Sequence, residues 1–387
     1  KKGDCAQDLF YGTDYHSHLG TEYGGMAVWS ASPKTASRGG GEKFTRHIHN
    51  LSETQFKSKF YEDYKHMRGN KGIGVISSFD EQPIYLESKF GPFCIVTNGL
   101  IENSQELKHS LLEKGVSFSE VSKGLVNITE LAAKLISQGD NIIDGIEKMF
   151  DAIDGSCSLL LLNKDGVYAV RDRFGYTPLV VGRKQDALAV TTETSAFPNL
   201  GFEIAKYLQP GEIILINEKG IQDKKSGGNI NQTCAFLWIY IGFPASNYDG
   251  INVETVRERC GRFLARKDND IEIDLVAGVP DSGTSHAIGY AMESGKPFRR
   301  PLVKYTPGYG RSYTPPSQQT RDLIARMKLI PIKEIIDGNR IVMCEDSIVR
   351  GTQLKNFTVK KLWDCGAKEI HIRPACPPLM FPCRFNL

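Results

Sequence analysis

The spacing of apolar and polar positions changes once along the chain, near residue 230. Before that point, short apolar or alternating runs recur between turn residues: Gly25–Trp29, Gly72–Ser77, Phe93–Thr97, Ser156–Asn163, Val167–Arg171, Leu179–Val181 and Ala187–Thr191. This spacing predicts mostly antiparallel strands. Two stretches have the helical period instead, Ser104–Lys114 and Thr129–Met149, the second carried by Leu131, Leu135, Ile142 and Ile146. Helices laid over a β core predict an α+β layered sandwich. The polar, glycine-bearing run Asn217–Gln232 reads as an exposed connection. Beyond it the order becomes helix (Asn252–Lys267), strand (Leu275–Val279), helix (Ser285–Ser294), strand (Leu302–Lys304), and then the strand around Ile341–Met343 with a helix after it. Alternating strands and helices predict an α/β domain with a parallel sheet. The expected division is 1–230 and 231–387.

With 387 residues the chain is long enough for two self-sufficient cores. Its 48 basic and 45 acidic residues leave a net charge of +3, and the basic ones are scattered. That argues against a nucleic-acid partner. No run approaches eighteen apolar residues, and Lys1-Lys2-Gly3-Asp4 lacks the apolar region of a secretion signal. The expectation is a cytoplasmic protein without membrane contact. The nine cysteines are odd in number and irregularly spaced, which argues against a disulfide framework.

The candidate chemistry is densest in Arg340–Leu354, where an apolar strand delivers Glu345 and Asp346 to its C-terminal end. Ligands of open α/β sheets bind at that edge. Ser347, Ile348, Val349, Arg350, Gly351 and Thr352 follow, offering hydroxyls, a backbone freed at Gly351 and a helix start, so several N–H groups can converge on a phosphate. The acidic pair can serve ribose hydroxyls and a hydrated Mg²⁺, or be a solvated turn. A second strand, turn and helix start at Leu275–Ile288 places Asp281, Ser282 and Gly283 in its turn. Between them runs Lys304–Gln319, a Gly-, Pro- and Tyr-rich segment too irregular for a packed element.

These segments resemble the 5-phosphoribosyl-1-pyrophosphate (PRPP) site of type I phosphoribosyltransferases, and Asp346–Thr352 is similar to the version found in glutamine PRPP amidotransferases. The resemblance implies PRPP binding by Asp281, Ser282, Gly283, Lys304, Arg311, Gln318, Lys328 and residues 345–352, with Ser282, Glu345 and Asp346 holding Mg²⁺. For Arg321 and Arg326 a solvated helix face is the plain account. The implied reaction is displacement at the ribose anomeric carbon, giving 5-phosphoribosylamine for purine synthesis.

The first half resembles the class II glutamine amidotransferase domain, an N-terminal-nucleophile sandwich of αββα layers. Tyr11–Val28 is similar to the helix and strand that follow its nucleophile, and Arg171–Leu179 and Leu208–Glu212 to its structural turns. In that family the nucleophile is the first residue, a cysteine using its own amino group as base. Cys5 is therefore a bystander, and the nucleophile is expected upstream of Lys1. Asn98 and Gly99 resemble the oxyanion-hole pair, although Asn-Gly also favours a type I′ hairpin turn. Ser77 stands where the family has an arginine for the substrate carboxylate, and Ile128 where it has an aspartate for the amine. Cys234 and Cys383 match two of the four ligands of a [4Fe-4S] centre present in some members.

The resemblance further implies glutamine or ammonia as nitrogen donor, purine nucleotides as inhibitors and a homo-oligomer, dimer or tetramer. A PRPP-sensing protein without catalysis, an ammonia-only enzyme and a transferase acting on a free base are the alternatives. For the last, no base-stacking hood is identified.

Overall fold

The computed structural model describes residues 1–31, 43–119, 121–122, 124–268, 270–305, 327–348, 351 and 354–381. Among the described residues its contacts fall into two units, one built on Lys1–Cys234 with Asn247–Gly250, the other on Ala235–Ser246 with residues 251–381.

The first unit has four layers. Helices α1 (Ala6–Asp14) and α2 (Phe56–His66) lie outside a sheet of β1 (Tyr23–Ser30), β2 (Lys43–Asn50) and β3 (Lys71–Ser77), ordered β2-β1-β3. Behind it is a sheet containing β4 (Ile84–Ser88) and β5 (Gly91–Ile101), covered on its far side by α3 (Ser104–Glu113), α4 (Ile128–Ile136) and α5 (Ile142–Ala152). That sheet continues through β6 (Gly155–Asn163) and β7 (Gly166–Val170). A separate three-stranded sheet holds β8 (Val180–Lys184), β9 (Ala187–Thr191) and β10 (Glu203–Tyr207). Strands β11 (Ile213–Asn217) and β12 (Gly220–Lys225) complete the six-stranded sheet, ordered β12-β11-β7-β6-β5-β4.

Side-chain alternation explains the layering, because successive residues of a strand point to opposite faces. In β1, Met26 and Val28 pack with Phe10, Phe56 and Phe60 of the helices, while Ala27 and Trp29 pack with Cys94, Val96 and Leu162 of the second sheet. In β5, Phe93 and Ile95 turn the other way, toward Leu131, Ile146 and Met149. Strands covered on both faces must be apolar on both, and β1 buries six of its eight residues.

Two sequence expectations change here. The single helix expected over Thr129–Met149 is two helices, because the Asn141 side chain accepts from the N–H groups of Ile143 and Asp144 and starts a new one. Part of the expected connection Asn217–Gln232 is strand β12, paired antiparallel to β11 in register Asn217↔Gly220 and Ile216↔Ile221.

The second unit contains α6 (Val253–Arg266), β13 (Leu275–Gly278), α7 (Thr284–Ser294), β14 (Leu302–Lys304), β15 (Leu329–Pro331), β16 (Arg340–Glu345), α8 (Lys360–Asp364) and β17 (Glu369–Pro374). Strands β13, β16 and β17 form a parallel sheet with β16 in the middle. Val276, Val342 and Cys344 pack on one face with Ala287 and Tyr290 of α7; Leu275, Ala277, Ile341 and Met343 pack on the other with Leu362 of α8. Expected strand Leu302–Lys304 is found, but it pairs antiparallel with β15 in a sheet of two.

Candidate functional site

In the second unit the parallel pairing of β13 with β16, in register Leu275↔Ile341 to Gly278↔Cys344, makes both strands end side by side. The turns leaving them therefore meet. Ser282 Oγ donates to Glu345 Oε1 at 3.3 Å, and the Asp346 backbone N–H donates to the same oxygen at 3.2 Å. Ser347 Oγ donates to Asp346 Oδ2 at 2.7 Å. Asp346 is only 4% exposed.

Burial and a neighbouring acid both disfavour charge on the Glu345 carboxyl. Burial first, then the adjacent Asp346, pushes the Glu345 carboxyl up to about 9. Gly283 lets the first turn lie this close: a Cβ there would meet the Cys344 carbonyl oxygen at 2.3 Å. Its N–H donates to Val279 O at 2.9 Å and its carbonyl accepts from Ala287 at 3.0 Å, so the turn runs straight into α7. Lys304, at the end of β14, donates to Asp281 Oδ2 at 2.8 Å across this edge. Lys328 is half-buried, and its carbonyl accepts from Tyr305 N at 2.8 Å. Ile348 is exposed and Gly351 has φ of 68°, the left-handed conformation glycine tolerates best. Arg311, Gln318, Val349, Arg350 and Thr352 lie outside the described residues.

The structure thus brings together Ser282, Glu345, Asp346 and Ser347, with Asp281 and Lys304 joined beside them. This oxygen-only set of hydroxyl and carboxylate donors fits a hard cation such as Mg²⁺.

In the first unit, Asn98 and Gly99 sit within β5, paired with Ser158 and Cys157 of β6, and both are exposed. The hairpin-turn alternative for this Asn-Gly pair is thereby ruled out. Glycine is needed there for a different reason, since a Cβ on Gly99 would meet the Ser156 carbonyl oxygen at 1.9 Å. Ser77 Oγ accepts from the N–H groups of Phe79 and Asp80 at 3.3 and 3.1 Å. Asp80 Oδ2 in turn accepts from the Ile128 N–H at 2.9 Å. Ser77 and Ile128 are therefore neighbours through Asp80.

The residue before Asn98 is fastened to the same region. Thr97 exchanges hydrogen bonds with the Gln82 side chain at 2.8 and 3.2 Å, and its hydroxyl lies 2.6 Å from that of Thr129. Asp80, Gln82, Thr97 and Thr129 are buried. Sequence reading missed all four, because no local pattern marks a polar residue that only tertiary contacts bury. Burial pushes the Cys5 thiol up to about 12, the reverse of an activated nucleophile.

Cys234 is exposed and Cys383 lies outside the described residues. Among the described residues, the one grouping of three or more His, Cys, Asp or Glu side chains able to share an ion is His47, His49 and Asp63, so Cys234 belongs to none. No helix among the described residues is long and apolar enough to cross a membrane.

Fold and site define a class: an amidotransferase sandwich joined in one chain to a phosphoribosyltransferase sheet. Residues 71–199 match the family described as a glutamine amidotransferase domain. An amidophosphoribosyltransferase of Methanocaldococcus jannaschii is 32% identical over 408 residues, covering 99% of this chain and 83% of that protein. One from Bacillus subtilis strain 168 is 33% identical over 389 residues, covering 99% and 79%. The solved glutamine PRPP amidotransferase from B. subtilis complexed with ADP and GMP matches with a TM-score of 0.87 and 31% identity, over 100% of this chain and 82% of that one. A structure described as the allosteric regulatory enzyme of purine biosynthesis matches with a TM-score of 0.86 and 31% identity, over 99% and 80%. The chain belongs to the amidophosphoribosyltransferase family.

Proposed function

We propose that this chain forms 5-phosphoribosylamine and pyrophosphate from PRPP, with nitrogen from glutamine or from free ammonia. The observation that carries the reading is the convergence of Ser282, Glu345 and Asp346 where two parallel strands end, in a chain of this family.

In this reading Glu345 and Asp346 hold the ribose hydroxyls and, with Ser282, bind Mg²⁺. When bound, that ion supplies charge stabilisation for the departing pyrophosphate. Ser347, Ile348, Val349, Arg350, Gly351 and Thr352 cradle the 5-phosphate through backbone N–H groups and hydroxyls. Asp281 and Gly283 flank the pyrophosphate, and Lys304, Lys328, Arg311 and Gln318 meet its charge and close the site to water. A C–N bond forms at the anomeric carbon as the C–O bond to pyrophosphate breaks, through an oxocarbenium-like state. The chain's own task is positioning and charge neutralisation, and no proton shuttle is required.

Asn98 and Gly99 are the proposed oxyanion donors for glutamine hydrolysis. Ser77 and Ile128 offer no charge to the zwitterion of glutamine, and each missing charge-assisted contact removes about 1.5–3 kcal/mol of binding. That observation favours ammonia as the more efficient donor. The reading extends to inhibition by purine nucleotides, as the relative complexed with ADP and GMP suggests, and to a dimer or tetramer.

The deciding experiment measures pyrophosphate release from PRPP and Mg²⁺ with ammonia and, separately, with glutamine. Release with ammonia is expected, faster at equal concentration than with glutamine. No release with either donor overturns the reading.

A further inference from the structure

Away from both regions above, His47 and His49 point from β2 toward Asp63 of α2. Their spacing of two puts both imidazoles on one face of the strand. Asp63 follows Phe56 by seven residues and Phe60 by three, so it rides the helix face that is buried against this sheet.

The approach of that helix has a visible cause. Gly24 of β1 pairs with His49, and a Cβ on it would meet Phe56 and Leu51 side-chain atoms at 2.8 Å. Glycine there lets α2 settle onto the sheet and brings its carboxylate within reach. Asp63 Oδ2 lies 2.6 Å from His49 Nε2, and Oδ1 lies 3.3 Å from His47 Nδ1. One ligand atom from each of the three residues lies within 4.8 Å of the others. The His49 ring is held edge-on against Phe60 at 4.7 Å between centroids, which limits its rotation. All three side chains are partly exposed, at 34%, 33% and 21%, so an ion has a path in and solvent can complete its coordination.

We propose that His47, His49 and Asp63 form a binding site for a divalent first-row transition ion, a two-imidazole, one-carboxylate set of the kind such ions prefer. Nitrogen ligands distinguish it from the oxygen-only Mg²⁺ set around Glu345. The ion clips α2 to β2, the edge strand of its sheet, and stabilises the fold by binding the native state.

The test titrates ZnCl2 calorimetrically into the full chain, with Mg²⁺ present in excess, and compares the wild type with His47→Gln, His49→Gln and Asp63→Asn. The expected result is one equivalent of tight binding in the wild type, weakened at least tenfold in each variant. Zn²⁺ should also raise the melting temperature of the wild type and not that of the variants, while pyrophosphate release is unchanged by all three substitutions. Undetectable binding by the wild type, or equal affinity in all four proteins, overturns the proposal. The second readout guards against loss of binding through misfolding, because a variant that melts like the metal-free wild type is folded.

Discussion

Glu345 illustrates what one side chain can demand of its surroundings. Its neighbour Asp346 is buried, its oxygen takes two hydrogen bonds, and its carboxyl is held far above the ordinary range. Such a pair is unfavourable unless a cation or sugar hydroxyls meet it. Glu345→Gln and Asp346→Asn are each expected to lower kcat/KM for PRPP with ammonia on the order of 10²-fold, with far-UV circular dichroism unchanged. Loss of less than threefold in both would remove the pair from the machinery. Gly99→Ala is expected to destabilise the fold by about 1–3 kcal/mol, read as a lower urea midpoint, because its Cβ would overlap the Ser156 carbonyl. At this scale legibility depended on locality. Ser282, Glu345 and Asp346 stand in contiguous strand-turn-helix motifs and were readable. Asp80 and Thr129 touch their partners across 48 and 32 residues of chain and were not.

Elements were legible where an apolar run or period is bounded by turn residues, and less so where a cap interrupts a continuing period. The apolar positions of α4 and α5 continue one helical rhythm across the break at Asn141, so the period alone could not locate the boundary. Asn141→Ala is expected to cost about 1 kcal/mol, measured by chemical denaturation, since it strips the first turn of α5 of its acceptor. Strand β12 was hidden by its polar composition, which suits an edge strand as well as a linker.

In the parallel sheet, Asp274, just before β13, clasps Arg340, the first residue of β16. Its carboxylate accepts from the Arg340 backbone N–H at 2.8 Å and from two guanidinium nitrogens at 3.1 and 2.9 Å. Those bonds hold the Asp274 carboxyl down at about 2, against 3.8 ordinarily. A depressed carboxyl contributes stability that is present above the ordinary value and lost as pH falls through the folded one. The stability difference between wild type and Asp274→Asn should therefore be constant above about pH 4 and shrink as the pH falls toward about 2. A difference that grows in acid would contradict the clasp.

For the whole molecule, the change of rhythm near residue 230 announced two architectures, and the structure contains both, a four-layer sandwich and a parallel α/β sheet. The sandwich could be foreseen in class because its strands are apolar on both faces. Its layer assignments needed tertiary contacts, since nothing in the alternation of β1 says which face meets helices and which meets sheet. Strand β1 has hydrogen-bonded neighbours on both sides and packed layers above and below. Its amide protons can then reach solvent only when the entire sandwich opens, so deuterium uptake at Met26, Ala27 and Val28 becomes a clock for global unfolding of the amidotransferase half, deaf to fraying anywhere else.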